Sequence, residues 1–391
     1  MTTHDDLTAR ARQLAPALAE RARAAEEMRR LPAETLEELV AAGFHKILLP
    51  RAVGGHELGL DTAFGVSREL AKGCTSTSWV ATIYILHNWM IGMLPEKAQR
   101  EVFDGPGPVL PAGTLAPTGT AERVDDGYRV SGRWRWGSGI VGGSHALVCA
   151  AITGDPADHP AERRMFLIDV DQLEIDDVWF TSGMLATASN DIVVRDAYVP
   201  EMRTLPTASL LTTQTPGREL YDIPAYRWPV IPIIALSAAA PALGTAEAVL
   251  ERYDDHIRQR RIAFSGIRHG DTAGAQTRLA RATAEIAGAR LLFDDTVGRI
   301  QRTYAAGGVL DLVDRARCRL VAAHVVHAAR SAVDLLAAGS GASAQFLDSP
   351  FQRAQRDLNM IACHLVSDLD ATYELYGRIK LGLDIAPGTL V

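Results

Sequence analysis

The spacing of apolar residues divides the chain into a helical beginning, a middle of short strands and a long helical end. Helical spacing covers residues 31–43, 61–72 and 76–94 of the first part. Alternating runs bounded by turn residues, such as 165–170 and 191–195, are typical of strands. Four long helices are predicted in the last part, at about 233–262, 273–305, 311–338 and 354–382.

This order predicts a mainly α-helical protein with a central β domain. Composition changes at Pro106-Gly-Pro108 and again in a loop rich in Thr and Pro at 205–216. We therefore expect three domains. They are an N-terminal α-helical domain at 1–107, a β-barrel or sandwich at 108–215 and a C-terminal four-helix bundle at 216–391.

Composition and charge narrow the class of protein. Of 391 residues, 47% are hydrophobic and 22% are charged, and the net charge is −7. Without a basic block, no nucleic-acid partner is expected. The apolar run 230–243 is interrupted by proline and serine, so no membrane span is expected either.

The cysteines and the beginning of the chain predict a cytoplasmic protein. The four cysteines lie far apart and show neither zinc spacing nor a disulfide framework. The first residues lack the pattern of a signal peptide. His324 and His327 are three residues apart on a predicted helix but have no third ligand at a suitable spacing, so no metal is expected.

Residues 131–145 contain the most informative motif. Trp134 and Trp136 alternate on a predicted strand, which would place them on one face, and a glycine-rich corner bearing Ser138 follows. A flat aromatic wall beside a hydroxyl suits a planar heteroaromatic ring such as a flavin. The alternative is that both tryptophans are core residues. Residues 137–142 also match G-x-G-x-x-G, but a strand pattern follows where that fingerprint requires a helix.

The domain order and these motifs resemble the acyl-CoA dehydrogenase fold. Trp136-Gly-Ser138 is similar to the family's Trp-x-Thr segment, which implies that the aromatic ring packs on the isoalloxazine and the hydroxyl bonds to flavin N5. Arg261 to Phe264 is similar to an Arg-x-x-Phe motif whose arginine meets a neighbouring subunit's flavin phosphates, which implies a homotetramer. The cofactor-binding residues implied are Trp134, Trp136, Ser138, Arg261, Phe264, Gly339 and Gly341.

The departures from that family favour a different reaction. Most acyl-CoA dehydrogenases carry a catalytic glutamate shortly after an Arg-Asp pair or upstream of a Pro-x-x-Gly step. Here neither the stretch after Arg356-Asp357 nor the position near Ile233 holds a carboxylate. Losing a general base costs about 10²–10⁴ in rate. Acyl-CoA oxidation is therefore disfavoured.

The chain is more similar to the group D flavin monooxygenases, the oxygenase components of two-component systems such as 4-hydroxyphenylacetate hydroxylase. In that branch a Ser-Gly-x-Trp-x-aromatic-x-Ser-Gly strand, here 131–139, and a histidine after the Arg-Asp pair, here His364, occur together. The resemblance implies that a separate flavin reductase supplies reduced FMN or FAD. It also implies that O₂ forms a C4a-hydroperoxyflavin, which hydroxylates an aromatic or polycyclic phenol-like substrate.

Catalytic and substrate-binding residues follow from this resemblance. Besides Ser138, we expect catalysis by His364, with Asp368 four residues later on the same helical face to orient the ring. The alternative is that Asp368 faces solvent. The predicted substrate-binding residues are His87, Tyr221 and Tyr226, although the two tyrosines would also suit a plug at the domain junction.

Three other functions stay open at this point. The same scaffold supports N-oxygenation of an amino sugar. The second possible function is that of an acyl-CoA dehydrogenase with a displaced base. The third is that of a catalytically inactive scaffold protein. The choice between FMN and FAD as the flavin also stays open, as does the choice between a dimer and a tetramer.

Overall fold

The computed structural model describes residues 2–153, 162–263, 265–386 and 389–391, and it confirms the predicted mainly α fold with a central sheet. The predicted boundary at 107 and 108 falls between the last N-terminal helix and the first strand. The helices before it are α1 His4–Met28, α2 Ala33–Ala41, α3 Leu60–Ala71, α4 Thr75–Ile91 and α5 Glu96–Phe103. Within α4 all residues are buried except Trp79 and Ile83, which lie one turn apart and are partly exposed.

The described strands form one seven-stranded mixed sheet, so the predicted barrel or sandwich is found as a single continuous sheet. The strand order is β5-β6-β2-β1-β3-β4-β7, and β1 and β3 pair in parallel. The strands are β1 Pro111–Val124, β2 Gly127–Gly137, β3 His145–Thr153, β4 Arg163–Asp169, β5 Glu174–Asp176, β6 Asn190–Pro200 and β7 Thr204–Pro206.

A register break near the end of β2 separates the two tryptophans of the motif. The pairing of β2 with β6 shifts between Trp134 and Gly137. Trp134 is 0% exposed, whereas Trp136 is 61% exposed and has a φ of 69°. The prediction that both rings share one face is therefore wrong, because the bulge interrupts the alternation of side chains.

The C-terminal part is a bundle in which α10 packs against each of the other long helices. α8 and α10 contain windows apolar enough to cross a membrane, but 83% and 61% of those windows are buried, as in the core helices of a bundle. The helices after the sheet are α6 Thr207–Thr212, α7 Pro216–Leu220, α8 Val230–Gln259, α9 Ala273–Ala305, α10 Leu312–Gly339, α11 Pro350–Ala362 and α12 Leu369–Lys380.

The helix predicted at 354–382 is two helices, so that prediction is wrong. A turn of 3₁₀ helix at Leu365–Ser367 separates α11 from α12. Asp368 accepts a hydrogen bond from the backbone N–H of Ala371 at 3.0 Å and so caps α12. Asp is among the preferred N-cap residues, so the sequence contained a helix-start signal that apolar spacing alone concealed. The break takes 363–368 out of the α-helix.

An ion-pair cluster fixes the start of this segment against the N-terminal domain. Glu26 on α1 contacts Arg353 and Arg356 on α11, with each N–O distance 2.9 Å. Glu26 is 13% exposed and Arg353 is 12% exposed, so solvent screens this cluster weakly. The cluster holds α11, and with it the break that follows, against α1.

We predict that Glu26→Gln lowers the free energy of unfolding by about 2 kcal/mol, because it leaves two half-buried guanidinium groups without a carboxylate. Thermal unfolding followed by circular dichroism checks this. Glu27→Gln is the matched control, since Glu27 pairs with Arg23 in solvent and its loss should leave the melting temperature unchanged. Equal effects of the two substitutions would contradict the structural role of Glu26.

Candidate functional site

Trp79 joins three separate parts of the chain at one cleft. Its Nε1–H donates a hydrogen bond of 3.0 Å to Oγ of Ser138, in the corner after β2. Its ring lies edge-on to the imidazole of His364, with 5.6 Å between centroids and 64° between planes. The two predicted catalytic residues, Ser138 and His364, therefore both contact one indole.

The sequence prediction missed Trp79. A usable signal existed, because Trp79, Ile83 and His87 are spaced by four residues and so share one face of α4. Trp79 and Ile83 are partly exposed, whereas His87 on the same face is buried, with 7% exposure. Trp79 and Ile83 are therefore the residues through which this side of α4 reaches the cleft.

The corner that carries Ser138 is fixed to α4 at a second point. The hydroxyl of Tyr84 donates to the carbonyl of Gly139 at 2.6 Å. Gly139 has a φ of 79°, and a Cβ there would lie 2.9 Å from both Tyr84 Oη and Val80 Cγ1. Only glycine meets both requirements, since the conformation is left-handed and the helix is close. Ser138 is thus held at a fixed position beside Trp79.

Behind Ser138, a buried loop supplies a chain of hydroxyl groups. Ser138 Oγ lies 2.8 Å from Ser189 Oγ, which lies 2.7 Å from Thr187 Oγ1. Thr187 donates to the carbonyl of Met184 at 2.8 Å. Ser189 is 3% exposed and Thr187 is 1% exposed.

Asp357 of α11 anchors that loop. Its Oδ1 accepts a 2.6 Å hydrogen bond from the backbone N–H of Met184. Burial raises the pKa of Asp357 to about 7. The Arg-Asp pair recognised in the sequence therefore has two structural tasks: Arg356 binds Glu26, and Asp357 holds the loop behind Ser138.

His364 lies at an exposed position after α11, and nearby protein atoms lower the pKa of its imidazole below the usual value by partly desolvating the ring. Its Nδ1 accepts a 3.3 Å hydrogen bond from the N–H of Val366. The neutral ring therefore carries its proton on Nε2, and this nitrogen is a donor. The predicted pairing with Asp368 on one helical face is wrong, since the helix ends at Ala362 and Asp368 caps α12.

His87 has the opposite tautomer. Burial lowers its pKa to about 4, and its Nδ1 lies 3.1 Å from the carbonyl oxygen of Pro111. A carbonyl only accepts, so Nδ1 carries the proton and Nε2 keeps a lone pair. The described residues supply no partner for that lone pair. The two histidines thus provide one hydrogen-bond donor, on His364, and one acceptor, on His87.

Two predicted ligand-contacting residues are core residues instead, and a third is partly buried. Trp134 is fully buried, and its Nε1–H donates to the carbonyl of Cys149 at 2.6 Å. Tyr226 is also fully buried and packs against Gly92, so it plugs the domain junction. Tyr221 is partly buried, and its hydroxyl donates to Gln99 at 2.7 Å. Because 0% exposure leaves no surface for a ligand, Trp134 and Tyr226 are corrected to core residues.

The residues predicted to hold a flavin phosphate are found near the C-terminal end of α8. Arg260 donates a hydrogen bond to the carbonyl of Ser340, between Gly339 and Gly341. Arg261, the next residue, is exposed and donates to the carbonyl of Gly266 at 2.8 Å. Phe264 lies outside the described residues. The glycine loop is therefore held by Arg260, and the predicted Arg261 is the next residue along the chain.

No group of three or more histidine, cysteine or acidic side chains suited to a metal occurs among the described residues. Nε2 of His327 lies 3.0 Å from the carbonyl of Ser367, and Nδ1 of His324 lies 3.2 Å from the hydroxyl of Tyr373. Both histidines therefore support the break before α12.

Comparison with known proteins agrees with this architecture. Residues 2–103 match the family model "Acyl-CoA dehydrogenase, N-terminal domain", and 236–368 match "Acyl-CoA dehydrogenase, C-terminal domain". The chain is 32% identical to the oxygenase subunit HsaA of a flavin-dependent monooxygenase from Rhodococcus jostii, over 95% of this chain and 97% of that one.

Two further relatives agree. The oxygenase component of the FADH(2)-dependent resorcinol hydroxylase from Rhizobium sp. is 31% identical, over 97% of this chain and 95% of that one. The crystal structure of 3-HSA hydroxylase from Rhodococcus sp. RHA1 superposes with a TM-score of 0.93 at 31% identity, covering 98% of this chain and 99% of that one. These matches confirm the resemblance predicted from the sequence.

We predict that His87 makes stability depend on pH below neutrality. Burial keeps the native ring unprotonated down to about pH 4, whereas the unfolded chain takes up a proton near pH 6.5. The unfolded state therefore binds more protons in this window, and the free energy of unfolding falls as the pH is lowered from 6.5 to 4, by about 3 kcal/mol for this residue.

Melting temperatures of the wild type and of His87→Gln, measured from pH 7 to pH 4.5, check this. The curve of the variant should be flatter. Some dependence should remain, because burial also lowers the pKa of His45 to about 4. Parallel curves for the two proteins would contradict a neutral, buried His87.

Proposed function

We propose that this chain, which belongs to the flavin-dependent monooxygenases of the acyl-CoA dehydrogenase fold, is the oxygenase component of a two-component system. It takes reduced FMN or FAD from a separate reductase and hydroxylates a phenol-like aromatic substrate. The observation that carries the proposal is the contact of both Ser138 and His364 with the same Trp79 indole.

The residues at the cleft fit a flavin ring. Trp136 offers a free aromatic face, and its positive φ is a conformation that a non-glycine residue adopts at a cost of about 1–3 kcal/mol. Ser138 lies two residues further along and is only half-buried. Arg261 would hold the phosphates of a neighbouring subunit's flavin, and Gly339 and Gly341 would belong to a cofactor loop. A bound reduced flavin supplies the two electrons with which O₂ gives one oxygen atom to the substrate and one to water.

The opposite tautomers of the two histidines suit hydroxylation of a phenol. Nε2 of His87 would accept the hydrogen of the substrate hydroxyl, which makes the ring carbon more nucleophilic. Nε2–H of His364 would donate a hydrogen bond on the other side of the cleft, to the oxygen that leaves as water. The resorcinol hydroxylase among the relatives is named for a phenol, which supports a phenol as the class of substrate.

A homotetramer in the cytoplasm completes the proposal. Several large apolar side chains of the C-terminal half are exposed, which is typical of surfaces that bury against another subunit. They are Leu291, Phe346, Leu347, Leu365 and Leu381.

Isotope incorporation tests the function. With a reductase, NADH and ¹⁸O₂, the protein should convert a simple phenol to a catechol or hydroquinone with one ¹⁸O atom in each new hydroxyl. Binding should be tighter for reduced than for oxidised flavin. Anaerobic oxidation of an acyl-CoA in place of phenol hydroxylation would contradict the proposal.

Substitution of His87 tests its contact with the phenol. We predict that His87→Leu lowers kcat/KM for the phenol by about 10²-fold, the usual size of a lost acid–base contact, and increases the hydrogen peroxide formed per reduced flavin. The affinity for reduced flavin should not change. Tyr226→Phe is the control, since Tyr226 is a plug. A similar loss in Tyr226→Phe, or none in His87→Leu, would refute the assignment.

A further inference from the structure

The hydroxyl chain behind Ser138 has a single possible direction. Each hydroxyl has one hydrogen to donate. Thr187 donates its hydrogen to the carbonyl of Met184. The hydrogen in its contact with Ser189 must therefore come from Ser189. Ser189 then has no second hydrogen to donate. The hydrogen in its contact with Ser138 must therefore come from Ser138.

The far end of this chain is fixed by the backbone. The Met184 carbonyl also accepts from the Trp179 indole at 2.9 Å and from the backbone N–H of Thr187 at 3.1 Å. It has no hydrogen of its own, so its 2.8 Å contact with the Thr187 hydroxyl requires the hydrogen of Thr187. The Met184 N–H is bound by Asp357. Thr187 therefore has an acceptor in a fixed position. The hydrogen-bond direction at Thr187 then determines the direction at Ser189 and at Ser138.

This direction determines what Ser138 presents to the cleft. Ser138 gives its hydrogen to Ser189 and accepts one from Trp79. One lone pair of Oγ remains. Ser138 thus faces the cleft as an acceptor of a hydrogen bond. A reduced flavin carries a hydrogen on N5, whereas N5 of an oxidised flavin is itself an acceptor.

We propose that Ser189 and Thr187 are positioning residues that make the site select reduced over oxidised flavin, by holding Ser138 as a hydrogen-bond acceptor. The proposal rests on the proposed function, in which Ser138 faces flavin N5. Neither residue touches the flavin. Both act through the direction of the Ser138 hydroxyl. Ser189 and Thr187 are buried, which excludes water that would otherwise reverse the direction of these hydrogen bonds.

Two substitutions free the hydrogen of Ser138 in different ways. Ser189→Ala removes its acceptor. Thr187→Val removes the acceptor of Ser189, which then turns its own hydrogen toward Ser138. In both variants Ser138 is able to donate to oxidised N5. The ratio of Kd for oxidised flavin to Kd for reduced flavin should fall about fivefold, the worth of one neutral hydrogen bond, mainly through tighter binding of oxidised flavin.

Anaerobic equilibrium dialysis, with oxidised flavin and with dithionite-reduced flavin, measures the two Kd values and therefore their ratio without turnover. Thr187→Ser restores the hydroxyl and should restore the ratio. Thr181→Val is the matched control, because Thr181 donates to Gly183 in the same loop but lies outside the chain of hydroxyls. In a Ser138→Ala background, Ser189→Ala should have no further effect.

The outcomes separate the two proposals. The wild type could prefer reduced flavin while Ser189→Ala and Thr187→Val leave the ratio of Kd values unchanged. That result would overturn the role of the hydroxyl chain and leave the proposed function intact. An equal fall in Thr181→Val would also overturn it. No binding of either flavin by the folded wild type would overturn both proposals. A gain in affinity for oxidised flavin cannot come from partial unfolding, so misfolding does not imitate the expected result.

Discussion

The hydrogen bond from the Trp79 indole to Ser138 is the contact on which the candidate site depends. It connects α4 to the corner after β2, while the same ring packs against His364 beyond the end of α11. Helix, sheet and bundle therefore meet at one side chain. The other contacts support this meeting point: Tyr84 fixes the corner, Glu26 fixes α11, and Asp357 fixes the loop behind Ser138.

Hydrogen-bond direction gives this site its chemical character. Backbone groups, which cannot change their donor or acceptor role, determine it in each case. The Pro111 carbonyl leaves His87 with a lone pair, the Val366 N–H leaves His364 with a hydrogen, and the Met184 carbonyl leaves Ser138 with a lone pair. Desolvation lowers the pKa of both histidines and so keeps them neutral near pH 7, which preserves these directions.

The fold was predictable from the sequence because apolar spacing leaves a local signal for each element, and short motifs pointed to Ser138 and His364, which both contact Trp79. The side-chain directions were not. Trp134 and Trp136 were assigned to one face because a bulge leaves no mark on alternation. Asp368 was paired with His364 because a capped break between helices resembles one long helix in apolar spacing. Trp79, Thr187 and Ser189 have roles only through contacts between distant parts of the chain.

A crystal structure of the protein with reduced flavin, grown without oxygen, tests the central claim most directly. The account predicts that N5 of the flavin lies within hydrogen-bond distance of Ser138 Oγ. It also predicts that the ring packs on Trp136 and that Nε2 of both His364 and His87 opens onto the space beside the ring. A flavin bound elsewhere, or one whose N5 faces away from Ser138, would contradict it.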